Sequence, residues 1–140
     1  QRGLDQLGIH SEHPVSNFQD HQKAALACQL MMWGAAWNAD YPDGENFLQQ
    51  LYGPNARQGN MACYQSAAFD VMYKQAMALP PGPERYALYA KMNRQMEADT
   101  PWFVQTVRVR NWVSQPWVLG FKRHPILNAE WLYMDVADHQ

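Results

Sequence analysis

From Ser66 to Leu79 the apolar residues Phe69, Met72, Ala76 and Leu79 recur at spacings of three and four, the period of one helix face. Ser66 supplies an N-cap and Pro80-Pro81-Gly82 stops the run. A second helix is predicted directly after it. Pro83 takes the first helical position, Tyr86, Tyr89, Met92 and Met96 form the apolar stripe, and Thr100-Pro101 ends it. The short Pro-Gly-Pro connection makes the two helices packed neighbours.

Upstream the pattern is less regular. Leu4, Leu7 and Gly8 read as the last turn of a helix with its C-cap, and Ile9 to Val15, which contains Pro14, as an extended, edge-like segment. Asn17 is a good N-cap, with Asp20 in the first turn of a helix predicted to reach about Gln29. Leu30-Met31-Met32-Trp33-Gly34-Ala35-Ala36-Trp37 is a continuous apolar run, expected to be the central strand of a parallel or mixed sheet, buried on both faces. Turn-forming residues from Asn38 to Gly44 follow, then one or two helical turns over Glu45 to Tyr52, a break at Gly53-Pro54-Asn55 and a polar loop from Ala56 to Met61. In the last third, Phe103, Val107, Val109 and Val113 alternate with Arg108 and Arg110, which predicts a strand. Trp117 to Phe121 and Trp131 to Val136 are predicted as shorter extended pieces, joined through His124-Pro125 and Asn128.

Composition narrows the function classes. A chain of 140 residues, 47% hydrophobic, suits one globular unit, and its net charge of −2 with scattered Lys and Arg lacks the basic footprint of a nucleic-acid binder. No apolar run reaches the roughly 20 residues needed to span a bilayer. The chain opens without methionine at Gln1-Arg2-Gly3, and Leu4 to Gly8 reads as the last turn of a helix whose start is absent, so a piece of a longer protein lacking its N-terminal part is expected. Cys28 and Cys63 do not make a disulfide framework; a bridge is open, and two separate thiols, with Cys28 packed as a small hydrophobe, are the favoured expectation.

The chain carries no Cys-x-x-Cys, His-Glu-x-x-His, Gly-x-Ser-x-Gly or Walker-type loop, so an enzyme is not expected. His10, His13 and His21 read as surface histidines, because a spacing of three on an extended segment turns the first two to opposite faces, and no metal or cofactor is expected. Asp40, Asp43 and Glu45 crowd the loop after the apolar run. Asp43 or Glu45 is expected to cap the following turn, whereas Asp40 lies too early for that role and is open to acid–base work, a cation or an ammonium group. Trp33, Trp37, Tyr41, Tyr52 and Tyr64 surround the same loop, as either a core or the lining of a small-molecule site.

The string Trp37-Asn38-Ala39-Asp40-Tyr41-Pro42-Asp43-Gly44-Glu45-Asn46-Phe47-Leu48 is similar to the W-x-A-D-Y-x-D-P-x-x-F-L segment of family 5 solute-binding proteins of ABC importers, the oligopeptide- and dipeptide-binding class. Tyr52-Gly53, Asn60, Tyr64, Phe69-Asp70, Glu84-Arg85, Leu88-Tyr89, Asp99-Thr100-Pro101, Arg108, Pro116-Trp117-Val118-x-Gly120 and Trp131-x-Tyr133-x-Asp135 follow in the family's order. Gly44 departs from the family's proline, and the run before Trp37 lacks the arginine that some peptide binders carry there.

The resemblance implies an α/β fold, the C-terminal part of a two-lobed, type II-like periplasmic binding protein with a mixed sheet flanked by helices. Residues 1–29 would end the smaller lobe and residues 30–140 complete the larger. It further implies an exported, periplasmic protein that hands a peptide or other amine-bearing solute to a membrane permease and catalyses nothing. The family's other ligands are metal chelates, haem, opines and sugars. By the same resemblance Asp40 pairs with the ligand's ammonium group and Trp37 walls the pocket, with Trp33 and Tyr41 as further lining candidates.

Overall fold

In the computed structural model, residues 2–107, 109–124, 126 and 129–137 are described. The elements run α1 (Arg2–Gln6), α2 (Phe18–Leu26), α3 (Glu45–Leu48), α4 (Ala67–Met77), α5 (Pro83–Asp99), β1 (Val118–Leu119) and β2 (Asp135–Val136), with 3-10 turns at Gln49–Leu51, Gly53–Asn55 and Glu130–Tyr133.

The centre of the molecule is the predicted helical hairpin. Ser66 Oγ accepts the Phe69 N–H at 3.4 Å and so satisfies one of the donors left open at the start of α4. Pro83 begins α5, and Thr100, in left-handed conformation at φ 48°, ends it with its N–H on the Met96 carbonyl at 2.8 Å. Phe69, Tyr73 and Ala76 of α4 pack with Tyr89 and Met92 of α5, and Leu48 and Leu51 from the turns after the candidate loop close the core. The buried stripes are rotated slightly from the predicted ones. Tyr73 is buried while Met72 and Leu79 are half-buried, and Tyr86 is exposed, because α4 is covered on one side by α5 and on another by the turns that carry Leu48 and Leu51.

Two polar ties hold the connection between α3 and α4. The buried Asn60 amide donates to the carbonyls of Tyr52 and Tyr64 at 3.2 and 2.8 Å and accepts the Tyr64 N–H at 3.3 Å. Gly53 donates its N–H to Asp70 Oδ1 at 2.8 Å, an approach so close that a Cβ there would lie 2.7 Å from Asp70 Oδ2. At the N-terminal end Gly8, at φ 72°, caps α1, with its N–H on Asp5 and that of Ile9 on the Leu4 carbonyl. Asn17 caps α2 by accepting the Asp20 N–H at 2.9 Å. Helix α2 stops at Leu26, three residues short of the expected Gln29, because Cys28 turns into the left-handed region at φ 60°.

Three expectations are corrected. The apolar run from Leu30 to Trp37 is not a strand: Met31 is fully exposed and Met32 is 78% exposed. The segment from Phe103 to Val113 is likewise unpaired, with Val107 and Val113 more than 90% exposed; Arg108 lies outside the described residues. Both patterns require neighbouring strands, and among the described residues none lies beside them. Helices and sheet are combined as the expected α/β class requires, but among the described residues the sheet is one small antiparallel pair, β1 with β2, in which Val118 faces Val136 and Leu119 faces Asp135, and no central strand is present. Ile9 to Val15 is irregular, and Trp131 to Tyr133 forms a 3-10 turn rather than extended chain. Pro125 and Asn128, the expected breakers, lie outside the described residues.

The third correction concerns the cysteines, which form a disulfide between Cys28 and Cys63 with Cα atoms 5.9 Å apart. Their spacing of 35 residues carries no information on a long-range contact, which arises here because the chain after α3 returns to the end of α2. Closing a loop of that length restricts the unfolded chain, so reduction should lower the unfolding free energy by about 2–4 kcal/mol. Urea unfolding with and without reductant measures this, with a Cys28→Ala/Cys63→Ala double variant expected to match the reduced protein.

Candidate functional site

The loop from Trp37 to Glu45 draws its shape from one amide and two carboxylates. Asn46, the second residue of α3, is fully buried. Its Oδ1 accepts the Trp37 indole N–H at 2.7 Å and the Asp40 backbone N–H at 3.1 Å, and its Nδ2 donates to Asp40 Oδ2 at 3.3 Å. The amide orientation is fixed by chemistry, since two of its partners only donate and the carboxylate only accepts. Asp40 itself is exposed, and Trp37 is 44% exposed.

The two carboxylates fasten the loop to the helical hairpin. Asp43 Oδ1 accepts the Glu45 N–H at 2.9 Å, which is the capping role expected of it, and the Tyr89 hydroxyl at 2.8 Å, while Oδ2 pairs with Arg85 Nη2 at 3.0 Å. Arg85 also donates from Nε to the Tyr89 hydroxyl at 2.6 Å and lies 5.4 Å from the centre of the Tyr89 ring. Glu45 accepts hydroxyl hydrogen bonds from Tyr41 and Tyr73.

These contacts explain the titration shifts. Burial opposes ionisation of Asp43, but the Glu45 N–H, the Tyr89 hydroxyl and the Arg85 guanidinium together hold its carboxyl below the usual range. Burial, then the hydrogen bond to Asp43, pushes the Tyr89 phenol up to about 12. The Tyr73 phenol is raised by burial and by Glu45, and that of Tyr41 chiefly by its bond to Glu45.

Of the expected site residues, Trp37, Asp40 and Tyr41 share this loop. Trp33 does not join them; it is half-buried, edge-on to His21 with ring centres 5.3 Å apart. Tyr52 stacks on Tyr73 at 4.4 Å and Tyr64 meets Phe69 edge-on at 5.7 Å, so both belong to the core side of the loop. His10 and His13 are exposed, with His13 Nε2 bonded to Ser11 Oγ at 2.9 Å. Among the described residues no three His, Cys, Asp or Glu side chains group as metal ligands. A separate cleft of about 410 Å³ is lined by Trp112, Val118, Phe121, Trp131 and Met134, with Glu130 paired to Arg123.

Asn46, Arg85 and Tyr89 were not singled out from the sequence as parts of this site. Asn46 stands at an unspecified position of the W-x-A-D-Y-x-D-P-x-x-F-L segment and breaks no periodicity, and Arg85 and Tyr89 reach the loop only through the packing of α5.

An exposed carboxylate beside an indole, on a loop fixed from beneath, can hold a cation. Sequence comparison finds relatives whose names are those of solute-binding proteins. Heme-binding protein A of Haemophilus influenzae is 27% identical over 120 residues, covering 85% of this chain and 22% of the relative. The periplasmic oligopeptide-binding proteins OppA of Escherichia coli and Salmonella typhimurium are 28% identical over 106 residues and 30% over 87, covering 75% and 62% of this chain but only 19% and 16% of the relatives. The chain is related to the C-terminal part of the family 5 solute-binding proteins, and spans about a fifth of the length of the curated relatives it matches. No family model matches it, and neither does any solved structure.

The raised Tyr89 pKa gives a stability prediction. The folded protein keeps the phenolic proton up to about 12, whereas an unfolded tyrosine releases it near 10, so this contribution is intact below about pH 10 and lost as the pH rises to about 12. Wild type should lose about 1–2 kcal/mol more than Tyr89→Phe across that window in urea unfolding. At the acid end the depressed Asp43 pKa acts oppositely: stability present at neutral pH is lost as pH falls below the ordinary aspartate range.

Proposed function

We propose that this chain is part of the substrate-binding component of an ABC importer that captures peptides or related amine-bearing solutes outside the cytoplasmic membrane, with no catalytic step. The observation that carries the reading is the exposed Asp40 carboxylate, held beside Trp37 in the Trp37-x-Ala39-Asp40-Tyr41-x-Asp43 segment. In this reading Asp40 receives the ligand's ammonium group and Trp37 and Tyr41 provide aromatic wall, while Trp33, set against His21, stands apart from it. A charge-assisted bond of this kind gains strength when a second lobe closes over it and excludes water.

The larger architecture is part of the proposal: a two-lobed periplasmic-binding-protein fold in which residues 1–29 end the smaller lobe and 30–140 complete the larger, docking on a membrane permease. Support comes from the two OppA relatives, which are named as periplasmic. The Cys28–Cys63 disulfide adds support from physics, because such bridges persist in oxidising compartments such as the periplasm. Unpartnered apolar segments around Met31, Val107 and Val113 suit a chain that packs against further structure.

A second reading, a non-peptide ligand of the haem or metal-chelate kind, is favoured by one observation: the relative matched over 85% of the chain is named as heme-binding. Native mass spectrometry and visible absorbance of the full-length protein as purified separate the two, a Soret band marking haem.

Asp40→Asn keeps the shape of the side chain and removes its charge. A hydrogen bond to a charged group contributes about 1.5–3 kcal/mol, so affinity for an amine-bearing peptide should fall roughly 10- to 150-fold, while the N-acetylated peptide should bind poorly and change little. Calorimetry on the four combinations measures the coupling; four equal affinities refute the ammonium role.

A further inference from the structure

We propose that Asn46 is the positioning residue for Asp40, and that by engaging one carboxylate oxygen it leaves a site for a single-point ammonium rather than a bidentate guanidinium. The inference rests on the reading of Asp40 as the ammonium acceptor and adds the group that makes that acceptor selective. Asn46 is 0% exposed, so its amide has no access to water and depends on the loop for its hydrogen bonds. Both of its polar atoms are spent there: Oδ1 on Trp37 Nε1 and Asp40 N, Nδ2 on Asp40 Oδ2. The backbone bond fixes where residue 40 sits, and the amide bond fixes which way its carboxylate is turned.

The consequence is an asymmetric acceptor. Oδ2 is engaged from beneath by Asn46, whereas Asp40 forms no ion pair with any described residue. A guanidinium binds a carboxylate best through two parallel N–H donors, one to each oxygen, and here one of them would have to share Oδ2 with the Asn46 N–H, which weakens that oxygen as an acceptor. An ammonium is a compact charge satisfied by one oxygen and leaves the Asn46 bond intact. The indole of Trp37 is held by the same amide, so one buried side chain sets both charge and wall.

The test uses the full-length protein, freed of bound ligand, with trialanine, N-acetyl-trialanine and N-amidino-trialanine as probes in calorimetry. Wild type should prefer the amine to the amidine by at least about tenfold. In Asn46→Ala the trialanine affinity should fall about tenfold, and the amine-over-amidine preference should shrink to within about twofold. In the same variant without ligand, the Trp37 indole N–H resonance, assigned with Trp37→Phe, should move to a water-exposed position. Asn46→Ser, which keeps a polar group in the buried site, replaces Asn46→Ala if the latter does not fold.

A folded variant with the indole resonance moved but affinity and preference unchanged overturns the positioning role. Equal weakening of all three probes overturns it too, since that marks general loosening. Failure of the ammonium reading is distinct: Asp40→Asn then leaves trialanine binding unaltered, or wild type binds no probe, and the selectivity inference falls with it.

Discussion

The Asp43 carboxylate is the point on which the loop depends. It caps α3 from one side and receives Tyr89 and Arg85 of α5 from the other, so local turn and distant helix are fixed by one group. Without it the turn would lack a donor's partner at its start, and the hairpin would lose its contact with the loop. Glu45, gripped by Tyr41 and Tyr73, repeats the arrangement two residues later and links the loop to α4. The helical hairpin is thus a base that holds the loop at two places, and Asn46, next to the second, sets the finer geometry of Trp37 and Asp40.

Local signals in the sequence were sufficient where the structure is local. The Ser66 cap, the spacing from Phe69 to Ala76, Pro83 and the Thr100-Pro101 stop are complete within α4 and α5, and both helices formed where expected. Asn17 and Gly8 did the same at shorter range. The capping role of Asp43 was legible for the same reason, because its partner is two residues away.

What was not legible depends on the rest of the fold. An apolar run such as Leu30 to Trp37 specifies burial but not the partner that provides it, and a period-two pattern such as Phe103 to Val113 becomes a strand only if another strand offers its edge. The bridge of Cys28 to Cys63 and the bonds from Arg85 and Tyr89 to Asp43 are contacts at long separation, for which single-residue patterns hold no signal. Asn46 was hidden differently: an amide can be exposed or buried, and only the convergence of Trp37 and Asp40 on it reveals which. The family resemblance reached Trp37 and Asp40 but was silent on the residue that joins them.

The disulfide also decides how the protein ages. Cys28 and Cys63 close a covalent ring that contains Trp33, Trp37, Asp40 and Asn46, while α4 and α5 lie outside it. A protease that cuts once at the exposed Met31–Met32 stretch opens the ring without releasing either part, since the severed ends remain joined through sulfur. A nicked molecule of this kind gains only the water of hydrolysis and stays in one covalent piece until a reductant arrives, and then its covalent link is gone. Scission and separation are therefore two events, the second governed by the redox state of the surroundings.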